Sequence, residues 1–314
     1  MKRFIVLGVV VAVVACSKKP ENKPADPAPA ATTSKLEDQV GSAVGGAVAK
    51  VTTAVDRVGG TKAALTAEAY EKLVVGLEGC KLAGYEIDNK CPAKLALDAA
   101  MKDTTTNLKD VFGMNGQIGQ KLITHASPAV RVKAAQMMAS FTGTAGASQD
   151  AIAAAFEKET DPGVLQAFIR TVSNDGAKNP KVSAMLLAAA NHADTGVRLQ
   201  AIYALSSSWN REMAGAAEKL AYLADKDLEP KVRAAACEYG GKHGAAVMLP
   251  VLEKLTAKSD DKELYSACMT GIGYMFHQYP FFETTNEGAY KLFLKRLNAT
   301  PRSEAQPPWG VMSL

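Results

Sequence analysis

From about residue 92 onward, apolar and polar positions return in an order that predicts stacked pairs of helices. The segments SPAVRVKAA (127–135), DPGVLQAFI (161–169), DTGVRLQAI (194–202), EPKVRAAAC (229–237) and DKELYSACM (261–269) each open on a polar residue, with an apolar anchor three positions on. The anchors Val130, Val164, Val197, Val232 and Leu264 stand 34, 33, 35 and 32 residues apart. A further copy is placed at Leu95, after Cys91-Pro92 and 35 residues before Val130. Ser127 and Asp161 can accept hydrogen bonds from the free amides of a first helical turn. Pro128 and Pro162 then take the first helical position, where a missing N–H is harmless. Each unit holds a second helix: 128–141 pairs with 148–159, 163–173 with 180–192, 196–208 with 211–224, 230–240 with 245–256, and 262–277 with 288–298. Gly143 and Gly146, Asn174-Asp175-Gly176 and Gly240-Gly241 are read as the turns between them. One helical hairpin cannot cover its own apolar face, so neighbouring pairs must stack, and the expected fold is an all-α solenoid.

The signature within each unit is an acidic or small capping residue, then Val-Arg, then alanines. Asp194-Thr-Gly-Val197-Arg198 and Glu229-Pro-Lys-Val232-Arg233-Ala-Ala carry it best. This signature resembles the HEAT family, particularly its bilin-lyase-like subgroup, over roughly residues 92 to 298. The resemblance implies an α-solenoid of about five to six HEAT-like hairpins. Leu165 and Tyr265 replace the arginine in two units, so any arginine ladder is interrupted. The Trp-Leu-Gly-Tyr pattern of tetratricopeptide repeats, which have a similar period, is absent. The fold serves many roles, so the resemblance speaks to architecture more than to function.

The first residues, MKRFIVLGVVVAVVAC, place Lys2 and Arg3 before an apolar run of eleven residues, Phe4 to Val14. That run is too short for a membrane span, which needs roughly 20 apolar residues, and it suits a secretory signal. Its end, Val13-Val14-Ala15-Cys16, resembles the bacterial lipobox, which implies cleavage before Cys16 and acylation of that cysteine. Ser17 rather than an aspartate follows, which by analogy favours the outer membrane, with the body facing the periplasm. The expected organisation is a signal peptide at 1–15, the lipidated cysteine and a Pro/Ala/Lys-rich flexible linker at 16–35, and a marginal amphipathic helix at 36–60. An N-terminal helical cap at 61–91, the repeat solenoid at 92–299 and a tail at 300–314 follow. The linker cannot bury enough apolar surface to fold. In the 36–60 segment, Val40, Val44, Val48, Val51, Val55 and Val58 keep helical spacing, while Gly41, Gly45 and Gly46 weaken the helix.

Charge narrows the choice of partner. The formal net charge is +4, and removing Lys2 and Arg3 leaves 34 basic against 32 acidic residues. Such balance argues against nucleic acid, whose binding needs concentrated positive charge. Arg131, Arg198 and Arg233 occupy matching places. They form either a basic row for an acidic partner or ties to acids near neighbouring turns, such as Asp161, Asp194 and Asp227. Repeat-linked charges favour the ties.

Without the lipid cysteine, four cysteines remain, an even number in an exported chain. A Cys80–Cys91 disulfide is expected to pin an N-terminal cap or a presentation loop. Cys237 and Cys268, one repeat apart, either bond or stay as buried thiols. His125 and His192 both stand five residues before their anchors, a structural placement rather than a shared metal site. Tyr274, Phe276, Tyr279, Phe281 and Phe282 form a local aromatic concentration, read either as the seal of the last repeat or as a partner-binding hot spot. No cofactor, metal or catalytic constellation is expected. The expected function is that of a membrane-anchored, non-catalytic binding or scaffold lipoprotein of the bacterial cell envelope with a protein partner. The alternative, implied by the bilin-lyase-like resemblance, is an enzyme or enzyme-accessory protein.

Overall fold

The computed structural model describes residues 64–106, 108–139, 145–257 and 260–277, together with residues 288, 291–292 and 295. The expected signal peptide, Cys16, the linker, the 36–60 helix and the C-terminal tail lie outside these residues. The described chain begins with α1 (Ala67–Val75), a 3-10 turn (Gly76–Gly79) and a two-stranded antiparallel hairpin of β1 (Leu82–Ala83) and β2 (Glu86–Ile87). Helices α2 (Pro92–Asp103) and α3 (Leu108–Leu122) follow. The repeats then supply α4 (Pro128–Ala139) with α5 (Ala145–Phe156), α6 (Pro162–Thr171) with α7 (Pro180–Ala189), and α8 (Thr195–Leu205) with α9 (Ala216–Lys226). Next come α10 (Pro230–His243) with α11 (Met248–Leu255), and α12 (Lys262–His277).

The first helices of successive units, α4, α6, α8, α10 and α12, pack side by side in one layer. Second helices lie against one another in a facing layer, α5 on α7 and α9 on α11. The five anchors are buried between the layers, Val130, Val164, Val197 and Val232 completely and Leu264 nearly so. Fully burying each contributes about 1.5–3 kcal/mol. Asp161 caps α6 by accepting from the amides of Gly163 and Val164, while Asp194 and Asp261 do the same for Val197 and Leu264. The structure is therefore an all-α solenoid of stacked helical pairs.

Several local expectations change. Ser127 donates its hydroxyl to the carbonyl of Glu78, tying α4 to the N-terminal cap. Leu95 does not anchor α2: it is 54% exposed, and Leu97 is buried instead. The layer next to α4 is filled by α1, the 3-10 turn and β2, which bring Tyr70, Val74, Leu77 and Ile87 into the core. Gly240 and Gly241 are not a turn but lie within α10, which ends at Gly244 in the left-handed region (φ 80°). They are small because Met248 closes on Gly240 and the backbone of Gly271 closes on Gly241. The helix expected from residue 211 begins at Ala216, because Ser208–Asn210 forms a 3-10 turn first.

Cys80 and Cys91 are bonded, with Cα atoms 5.6 Å apart, and enclose the β-hairpin. The hairpin lies against the repeats, where Tyr85 accepts a hydrogen bond from Arg170 (2.6 Å) and Gly84 meets Gly163. Cys237 and Cys268 are also bonded, at a Cα separation of 4.7 Å, and join α10 to α12 inside the core.

Candidate functional site

Every first helix starts at one edge of the solenoid and ends at the other, so the two edges can be built differently. At the starting edge, Arg131 grips the turn before it and the turn after it. Its Nη1 donates to the carbonyls of His125 and Ala126 (2.8 and 2.7 Å), while Nε and Nη2 reach both oxygens of Glu159 (2.6 and 3.0 Å). Arg198 repeats the arrangement one double unit later. It donates to the carbonyls of His192 and Ala193 (2.9 and 2.8 Å) and holds Asp227 through two bonds of 2.8 and 3.0 Å. Bidentate pairs of this kind fix geometry as well as charge. The guanidiniums are only 15% and 12% exposed, so their hydrogen-bonding capacity is directed inward. Asp161 and Asp194 are absent from these ties because they cap helices.

The residue five positions before each of the first four anchors has a second task. His125 Nδ1 accepts from the amide of Ser127, and His192 Nδ1 from that of Asp194. Glu159 and Asp227 accept from the amides of Asp161 and Glu229 in the same way. Each side chain therefore closes the turn that launches the next helix. Burial alone would raise the Glu159 pKa. Arg131 and the amides of Asp161 and Thr160 outweigh it and hold the carboxyl below its ordinary range. The Nε of Arg233 makes no hydrogen bond among the described residues, and residue 259, in register with Glu159 and Asp227, lies outside them.

At the other edge, the ends of α8 and α10 and the loops after α6 and α8 border a groove of about 630 Å³. Tyr203 and Tyr239 meet edge to face across neighbouring helices, with ring centroids 4.7 Å apart. Tyr274 continues the row on α12 and is exposed. These tyrosines stand 36 and 35 residues apart, one per unit, a spacing visible in the sequence once the edge is known. Burial, then Glu238 and the neighbouring phenols of Tyr203 and Tyr274, push the Tyr239 pKa up, so its hydroxyl stays a donor. Trp209, on the loop after α8, is 61% exposed. Lys178 lies over its ring at 5.3 Å from the centroid, and Lys242 lies over Tyr239 at 5.9 Å.

Asn210 fixes this loop. Fully buried, it donates to the carbonyls of Ser173 (2.7 Å) and Ala204 (2.8 Å) and accepts from the amide of Ala177 (3.1 Å). Ser207 adds a bond to Asn174 at 2.7 Å. The loop of one unit is thus fastened to the loop of the preceding unit, and the groove is formed before any partner arrives.

A smaller pocket of about 230 Å³ lies between the cap and α4, lined by Lys94, Asp98 and Lys133 among others. Burial is the main cause that lowers the Lys133 pKa, with Lys94 adding to it and Asp98 opposing. Lys94 is paired with Asp98 at 2.8 Å. Among the described residues no cluster of His, Cys, Asp and Glu is arranged to hold a metal, and no helix is long and apolar enough to cross a membrane. Of the other aromatics expected at a hot spot, the side chain of Phe276 and residues Tyr279, Phe281 and Phe282 lie outside the described part.

Stacked helical pairs with a clamped edge and a grooved edge define an α-solenoid. The family of HEAT repeats matches the chain over residues 117–206 and 183–270, so this stretch is built of HEAT repeats, whose general role is non-catalytic protein interaction. No curated protein matches the chain.

Proposed function

We propose that the protein is a lipid-anchored scaffold of the bacterial cell envelope that holds a partner protein against the grooved edge of its repeats. The observation that carries this reading is the row Tyr203, Tyr239 and Tyr274, one per unit with the outer two exposed, and the exposed Trp209 beside it, on an edge that the arginine ties leave alone. Exposed aromatics beside cations are the composition of interface hot spots. Cys16 supplies the anchor in the outer membrane, the following linker supplies reach, and the repeats work on the periplasmic side.

The test is crosslinking of the tagged, lipidated protein in cells, followed by identification of the captured chains. A small reproducible set of envelope proteins, lost in Trp209→Ala, is the expected result. Recovery of only the protein itself or abundant background overturns the scaffold reading. Cys16→Ser should release the protein from membranes and abolish incorporation of a clickable fatty acid, and persistence of either refutes the anchor.

A further inference from the structure

We propose that the groove between α8 and α10 is a recognition site for an acidic, extended peptide segment of another protein, which deepens the scaffold reading and rests on it. The groove lining includes Arg211 and Lys242 and, among the described residues, no acidic side chain. Lys178 stands at its rim over Trp209. A carboxylate entering here meets two or three cations, and the low-lying aromatic faces accept the apolar parts of the same segment.

The walls favour an extended chain. The two loops that frame the groove belong to neighbouring units and are locked together by Asn210, so little ordering is needed on the protein side. The hydroxyl of Ser208 and the amide of Gln200 line the groove beside the aromatics, where they can pair with the unsatisfied backbone groups of a strand-like peptide. A folded convex surface offers fewer such groups. Three cations are too few to hold a nucleic acid backbone, which needs a longer basic stripe. Neither the linker nor the tail of this chain complements the groove. The linker after Cys16 carries Lys18, Lys19 and Lys23 against Glu21 and Asp26, and the tail carries Arg302 against Glu304. The scaffold reading makes the occupant an acidic segment of a second protein.

The experiment is selection of short random peptides displayed on phage against the full chain, run in parallel with Trp209→Ala and the double variant Lys178→Glu/Lys242→Glu. These side chains are exposed, and circular dichroism checks that the variants keep the parent fold. Enrichment of Asp- and Glu-containing peptides with interspersed apolar residues is expected. A selected peptide should bind the Trp209→Ala variant about tenfold or more weakly, as for a central aromatic contact. Its affinity should fall with added salt, and the charge-reversed variant should select basic peptides instead. Enrichment of neutral or basic peptides by the parent, indifference to both variants, or no enrichment at all overturns the proposal. If the crosslinked envelope partners persist while no acidic peptide is selected, the groove proposal fails and the scaffold reading stands. If acidic peptides bind but no partner is captured in cells, the reverse holds.

Discussion

Replacing Asn210 should loosen the solenoid between the α6–α7 and α8–α9 repeats. The side chain is completely buried and makes three hydrogen bonds, to the carbonyls of Ser173 and Ala204 and from the amide of Ala177. Each such bond contributes about 1 kcal/mol net, and a buried partner left alone costs about 1–3 kcal/mol. Water entering the vacated space would recover part of this, so Asn210→Ala should lower stability by about 2–4 kcal/mol. Asn210→Asp separates hydrogen bonding from volume. The carboxylate keeps the shape and the bond from Ala177 but turns two donors into acceptors that face carbonyl oxygens. At neutral pH it should be at least as damaging as alanine. Protonation restores one donor, so its deficit should narrow as pH falls. Urea unfolding followed by circular dichroism and by tryptophan emission reads the effect, since Trp209 is the adjacent residue. An Asn210→Ala variant within about 0.5 kcal/mol of the parent, or an aspartate variant milder than alanine at neutral pH, would refute the view that this residue holds the loops.

Three further outcomes follow from individual contacts. Alanine in place of glycine ordinarily favours a helix by about 1 kcal/mol, but a Cβ at Gly241 would overlap the backbone of Gly271, and the Cys237–Cys268 bond keeps α12 from moving away. Gly241→Ala should therefore destabilise by about 3 kcal/mol or more in thermal unfolding, and a gain in stability would show that the helices yield freely. Lys133→Met should leave stability unchanged or raise it by about 1 kcal/mol, because the half-buried ammonium makes no ion pair among the described residues that offsets its desolvation; a clear loss in urea unfolding contradicts this. His243 is buried with both ring nitrogens lacking hydrogen bonds among the described residues, and burial, then Arg211, lowers its pKa while Glu218 opposes. A depressed histidine disfavours the folded state only when protons bind the unfolded chain, so stability should decline as pH falls below 6.5 and level off below the folded pKa. His243→Gln should flatten that decline, and an unchanged pH profile refutes the assignment.

The fold was legible in the sequence where burial imposes a period. Val130, Val164, Val197, Val232 and Leu264 must all face the same seam, so their spacing reports the stacking directly. The reading failed where one residue type serves two purposes. Gly240-Gly241 looks like a turn because glycine is common in turns, yet here it allows two helices to touch. Leu95 has the right spacing and the wrong face, because the layer beside α4 is filled by α1 and the disulfide-enclosed hairpin rather than by a true repeat. The groove was less visible still. Tyr203 and Trp209 sit in helical and turn contexts that give no sign of exposure. Their role rests on the short 3-10 turn around Asn210, which local pattern does not reveal.

The chemistry of the clamped edge explains why the sequence varies there without losing the fold. At Arg131 and Arg198, the arginine after the anchor meets an acidic residue that opens the next unit, Glu159 and Asp227. Where the residue after the anchor is Leu165, the corresponding position is His192, which closes its turn by accepting at Nδ1 from the amide of Asp194. The turn-closing bond is kept in both cases, while Arg233 departs from the pairing, since Ser259 stands in register with Glu159 and Asp227. At Arg131 and Arg198 an unmatched charge at this depth would cost several kcal/mol, so arginine and acid are constrained together. The grooved edge has no such coupling for its outward aromatics. Trp209 can be removed without leaving a buried charge or donor unsatisfied, which is why its substitution should change binding while the fold persists, whereas Arg131→Met should unfold the repeats it joins.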